Sequence, residues 1–265
     1  MKRFIVCLAG IAVFASLAMA RTNSSETGTE IMKKVLSQSN WEDMSGDLIM
    51  TLTTSRGETR VRNMKFYSKK KNENESMMLI KIISPADVRG TAFLTIEHQN
   101  RDDDRYLYLP ALRRVKKITA SGKGGNFMSS DFTYYDMGKP KLKDWTYKRV
   151  ADETVDGHPC FVVKAVAASP KIAKETGYSK IVRWIRKDTY TTLKSIFYDR
   201  GGKKWKELSV PEVKKINGVW FSTVMVMHDV QIDHTSKMEF KELKINTGIP
   251  AKYFSVRYLQ RGQFR

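Results

Sequence analysis

The sequence predicts a mainly β (α+β) protein: one large curved antiparallel sheet or barrel around an apolar cavity, with an N-terminal helix and a short loop helix as partial lid. Three observations point there. Strand-like runs with alternating hydrophobicity follow one another through most of the 265 residues, separated by hairpin-type turn dipeptides. Several runs are apolar on both faces, whereas a sheet wetted on one side alternates apolar with polar. Helical signals are confined to one N-terminal stretch and one central loop, too little to cover so wide a sheet, so part of its apolar surface is left for a ligand.

The first twenty residues, MKRFIVCLAGIAVFASLAMA, combine early cations, an apolar run and a small-residue end. They read as a cleavable secretory signal, leaving residues 21–265 as one exported domain. SSETGTEIMKKVLSQSN then reads as an amphipathic helix with Thr29 as its cap and Ile31, Val35 and Leu36 at helical spacing. From Ser45 to Tyr67 the alternation is that of a hairpin broken at Arg56-Gly57. After the charged KKKNENE turn come SMMLIKIISP, then GTAFLTIEH beyond the 85–90 break, then RYLYLP beyond the 99–104 loop. Residues 119–144 read as a long loop with a short helix capped near Ser129 or Ser130. Strands resume at Trp145 and continue to Ile245 with turns at Asp156-Gly157, Gly201-Gly202 and Asn217-Gly218, interrupted by a loop from Ser169 to Gly177. YFSVRYLQ near the end reads as a last short strand.

The run from Val219 to Ile232 carries the cavity argument, with Phe221, Met225 and Met227 on one face and Trp220, Val224 and Val226 on the other. SMMLIKII and RYLYLP repeat the doubly apolar pattern. The residues so nominated to line a cavity or its lid are Met78, Ile80, Phe93, Tyr106, Tyr108, Phe127, Phe132, Tyr134, Trp184, Trp220, Phe221, Met225 and Met227. Methionine suits a wall that accepts variable chains, and equally fills an irregular core. The aromatics of the central loop are either a movable lid or a helix packed on the sheet, and packing is the expectation for most.

The net charge of +19, or +17 without Lys2 and Arg3, favours acidic partners. Export argues against nucleic acid and for anionic lipid. Cys160 is the only thiol left after signal removal, so no internal disulfide forms; at the start of an apolar strand it reads as a small buried hydrophobe. His228 and His234 at even spacing on one strand are too few for a metal site. Asp102, Asp103 and Asp104 lack the donor pattern of a calcium loop and read as a solvated turn. GKGG reverses a Walker loop. Asp131 and Asp136 read as capping or surface acids. No catalytic residues, metal or cofactor are expected.

SPADVRGTAFLTIEH, RYLYLPALRRVKKI and MSSDFTYYDM, in that order and spacing, resemble the LolA/LolB superfamily of outer-membrane lipoprotein-sorting proteins, most closely its LolA-like branch, over Glu30 to Gly262. The resemblance implies an open or incomplete β-barrel around a helical lid, and a periplasmic carrier of phospholipid or lipoprotein acyl chains. It also makes an inner-membrane RND-type exporter a candidate partner. Residues 109–112, Leu-Pro-Ala-Leu, form a turn between the Tyr106 and Tyr108 strand and a strand bearing Arg113, Arg114, Lys116 and Lys117. Those cations either meet a headgroup phosphate or anionic membrane, or protect an edge strand from aggregation. The alternative function is a periplasmic interaction or sensor module of the same fold that binds a protein.

Overall fold

The computed structural model describes residues 26–38 and 41–261; the signal-like segment lies outside them. Helix α1 (Gly28–Leu36) leads into thirteen strands. The first six are β1 (Asp43–Thr53), β2 (Thr59–Lys70), β3 (Ser76–Ser84), β4 (Ala92–Ile96), β5 (Asp104–Leu109) and β6 (Arg114–Ile118). The next seven are β7 (Trp145–Val155), β8 (His158–Ala167), β9 (Lys180–Arg186), β10 (Thr192–Tyr198), β11 (Lys204–Ile216), β12 (Val219–Asp229) and β13 (His234–Ile245). Helix α2 (Pro170–Thr176) separates β8 from β9, and α3 (Val256–Arg261) follows β13.

All neighbours are antiparallel, in the order β6-β5-β4-β3-β2-β1-β13-β12-β11-β10-β9-β8-β7. The chain thus makes two meanders, whose short turns put consecutive strands side by side. They are joined where β13 returns to β1, with Met50 opposite Met238 and Leu48 opposite Phe240. Strands β6 and β7 are the two edges, so the barrel stays open, and residues 119–144 connect one edge to the other.

The period of two sorts each strand's residues onto an inner and an outer face. The inner face carries the main core, including Leu48, Met50, Met64, Ile80, Phe93, Met227 and Met238. On the outer face of β3–β5, Leu79, Leu94 and Tyr108 are covered by Ile249, Phe254 and Leu259 around α3. Outside β8–β10, Cys160, Val162, Trp184 and Leu193 form a smaller outer cluster. Helix α1 closes the inner side of β8 and β9, burying Ile31 and Met32 against Phe161, Val163 and Ile185.

The helices depart from expectation in four places. The cap of α1 is Thr27, not Thr29: the Glu30 N–H donates to Thr27 Oγ1 and the Thr27 N–H to Glu30 Oε2, two reciprocal bonds that satisfy the first turn. The 169–177 loop is helix α2, started by Ser169 accepting from the Ile172 N–H and by Pro170, and ended by Gly177 at φ 84°. The central segment contains no α-helix: its turns are three-residue 3-10 pieces, Ser130 Oγ donates to the Phe127 carbonyl rather than capping, and a bridge pairs Asn126 with Thr133. The closing strand is instead α3.

Candidate functional site

A cavity of about 370 Å³ opens between the inner face of the sheet and the connecting segment. Its sheet side is built by alternate residues of β11–β13, chiefly Leu208, Phe221, Met225, Met227, Met238 and Phe240. Phe240 is wedged edge-on between Phe66 (5.2 Å) and Phe221 (5.1 Å). The opposite side is Phe132, Tyr135 and Met137 of the connecting segment. Polar groups enter from both meanders: Ser68, Ser76, Thr95 and Glu97 from β2–β4 and the turn after β4, and Arg183, Thr192 and Ser195 from β9 and β10.

Buried bonds fix the connecting segment in this position. Asp131, 3% exposed, takes the Ser236 hydroxyl on Oδ2 at 2.6 Å and lies 2.7 Å from His234 Nδ1, while its own N–H donates to Ser236 Oγ. Its carbonyl accepts from Lys206 Nζ at 2.6 Å. Lys206 is fully buried, and that burial pushes its pKa down. Asp136 Oδ2 accepts from the Thr133 N–H and hydroxyl and from Tyr178 OH, and Trp145 Nε1 donates to Tyr135 OH at 2.7 Å. Arg62 donates to the Met128 carbonyl, and Lys123 pairs with Glu175 at 2.8 Å. The buried ones among these bonds would be costly to leave unmade, so the segment is a strap held from within.

Of the nominated residues, Met78, Phe132, Phe221, Met225 and Met227 line the cavity. Ile80, Phe93, Phe127 and Tyr134 pack in the main core instead, with Phe93 5.3 Å from both Phe127 and Tyr134. Tyr106 and Tyr108 lie on the outer face with α3, because it is Leu107 that shares the inner face with the core. Trp184 belongs to the outer cluster, its Nε1 donating to Glu153, and Trp220 stands outside beneath Arg186 and Lys215. Arg113, Arg114 and Lys116 are exposed on the β5–β6 turn and the start of β6 and do not line the cavity, while Lys117 pairs with Asp104 at 2.9 Å.

Other expectations also change. Asp103 and Asp104 are not a solvated turn: Asp103 is 8% exposed and pairs with Arg105 and Lys141, and Arg101 and Lys117 hold the Asp104 carboxyl far below its usual range. His228 and His234 sit on different strands, each against its own aspartate. Asp131 is a buried anchor, not a surface acid. The main omission is Arg183, which SKIVRWIRKD presents as one more basic residue among surface-like cations; only the register that faces it inward shows its place.

A family model described as an uncharacterized protein matches residues 74–261. The crystal structure of a putative outer membrane lipoprotein-sorting protein domain from Vibrio parahaemolyticus is 31% identical, with 88% of this chain and 98% of that chain covered and a TM-score of 0.82. The chain belongs to this lipoprotein-sorting family, in the LolA-like branch of the LolA/LolB superfamily. A DUF1329 family protein from Desulfovibrio piger is 29% identical over 88% of this chain and 97% of that one, at a TM-score of 0.81. A LolA superfamily protein from Nitrosomonas europaea shares the fold at 17% identity, with 88% and 100% covered and a TM-score of 0.68. No curated protein sequence matches the chain significantly. The open, mostly β architecture is therefore the LolA-like fold. Among the described residues of this LolA-like protein, no helix is long and apolar enough to cross a membrane.

Proposed function

We propose that this LolA-like protein is a periplasmic carrier that takes the acyl chain of a lipid or lipoprotein into its cavity and moves it between the inner and outer membranes. The observation that carries this reading is the wall of half-buried Phe221, Met225 and Phe240, which borders the cavity over the core residues Met227 and Met238. Its volume falls within the range of about 300–1,000 Å³ usual for small-molecule sites. Each methylene withdrawn from water into such a wall contributes about 0.8 kcal/mol, so a chain of ordinary length offsets the cost of its own immobilisation. The flexible thioethers accommodate chains of differing length and unsaturation.

The signal-like N-terminus supports export. Docking on anionic membrane through Arg113, Arg114, Lys116 and Lys117 belongs to the same proposal, as does an inner-membrane RND-type exporter as donor or acceptor. Native mass spectrometry with lipid extraction, on protein prepared gently from the periplasm, tests the carrier. Phospholipid or acylated peptide at about one per chain supports it; a clean apo mass together with failure to take up fluorescent lipid overturns it in favour of a module that binds a protein.

A further inference from the structure

One group in the cavity does not suit an apolar chain alone. Arg183 lines it from β9, directly across from Ser195 of β10 and Val163 of β8. The two buried arginines among the described residues have carboxylates, Arg105 pairing with Asp103 at 2.8 Å and Arg186 with Asp188 at 2.6 Å, and half-buried Arg62 donates to the Met128 carbonyl. Arg183 has no hydrogen bond or ion pair among the described residues. The two carboxylates lining the cavity are already occupied. Glu97 accepts from the Ser76 N–H and hydroxyl and the Lys139 N–H, and Asp136 from Thr133 and Tyr178.

The neighbours of Arg183 are also underused. Tyr147 OH is buried without a hydrogen-bond partner. Burial pushes its pKa up to about 12 while the Arg183 charge, close enough to be felt, opposes the rise. The same charge opposes the burial-driven rise of Tyr135. Ser195, 1% exposed, and Thr192 add hydroxyls from the adjacent strand at the cavity wall. A guanidinium offers five donors in a planar fork suited to two oxygens of an oxyanion. Left unmatched beside apolar walls it costs free energy, and an anionic ligand oxygen removes that cost.

We infer that Arg183, with the hydroxyls of Ser195 and Thr192 beside it on the cavity wall, is the receptor for the anionic end of an amphiphile whose chain lies along the Met225 and Phe240 wall. The ligand is therefore an anionic lipid, carrying a carboxylate or a phosphate, in preference to a chain with a neutral end. This rests on the carrier reading and narrows its cargo.

The test is fluorescence titration of the delipidated mature chain with cis-parinaric acid and with its methyl ester, which share a chain and differ in charge. The wild-type protein binds the acid at least about tenfold more tightly than the ester, as a charge-assisted contact requires. Arg183→Gln and Arg183→Leu still bind the ester and lose the preference for the acid; Arg183→Lys keeps part of it. Ester binding in each variant reports that the cavity is intact. Equal affinity of the wild type for acid and ester, or an undiminished preference in both Arg183→Gln and Arg183→Leu, overturns the inference while leaving the carrier standing. Failure of the wild type to bind either probe removes the carrier and this inference together. Displacement of the probe by decanoate assigns the carboxylate, and displacement only by lysophosphatidylglycerol assigns the phosphate.

Discussion

Asp43 ties the chain's far end to the start of the sheet. Its carboxylate, in a residue 2% exposed, accepts from the N–H groups of Thr247 (2.8 Å), Gly248 (3.0 Å) and Ile249 (3.0 Å). Burial alone would raise its pKa, but these hydrogen bonds outweigh it and hold the carboxyl below the usual range. Removing the acceptor strands three donors beside buried Ile249, so Asp43→Ala should cost about 2–3 kcal/mol in urea unfolding at neutral pH. Because the folded pKa is depressed, the carboxylate's stabilisation is complete above the unfolded value of about 3.9 and is lost as pH falls through the folded one. The gap between wild type and Asp43→Ala should therefore narrow below about pH 4; a gap independent of pH would show that the charge is not what the turn uses. In the sequence Asp43 is one more acid near a strand start, and its partners lie more than 200 residues away. Phe221, Met225 and Met227 were legible because they share a period-two face. Tyr106, Tyr108 and Trp184 were misplaced because alternation fixes which residues share a face but not which face turns inward.

Helix α1 was legible from its amphipathic spacing, and its seat on the barrel was not. Gly28 sits so close to β7 that a Cβ there would lie 2.7 Å from Arg149 N and 2.8 Å from Lys148 C. These are backbone atoms of a paired strand and cannot step aside, so the helix would have to lift. In a free helix alanine would be better than glycine by up to about 1 kcal/mol, which gives the substitution a sign: Gly28→Ala should destabilise, by about 1–3 kcal/mol. Hydrogen exchange should also quicken through residues 28–36 ahead of the strands. A variant as stable as wild type, or more so, would mean that α1 does not need this approach. Helices α2 and α3 went unread for a related reason. Seven and six residues span too little to show a 3.6-residue period, so only end signals remain, and Ser169-Pro170 with Gly177 is as good a loop as a helix to the eye.

Two meanders were readable strand by strand because hairpin dipeptides announce each reversal; their union through β1 and β13 was not, since no local signal marks a pairing of strands nearly 200 residues apart. That union puts many turns at one rim, where charge and shape combine. The tip after β5 presents Leu112 at 68% exposure, followed by exposed Arg113, Arg114 and Lys116, none with an ion pair among the described residues. The 85–90 turn, with exposed Arg89, lies against it, a Gly90 Cβ falling 3.7 Å from Pro110. An apolar side chain at the point of a cationic rim suits the interface of an anionic bilayer, where each cation contributes about 1 kcal/mol. The protein should therefore sediment with phosphatidylglycerol vesicles and not with phosphatidylcholine vesicles, and added salt should release it. Reversing two charges, Arg113→Glu with Arg114→Glu, should weaken vesicle binding by at least about 2 kcal/mol, some thirtyfold. Leu112→Asp should weaken it further without altering parinaric acid uptake, because this rim and the cavity wall share no residue. Sedimentation of the double variant equal to wild type would mean that the rim's charge only guards an edge strand.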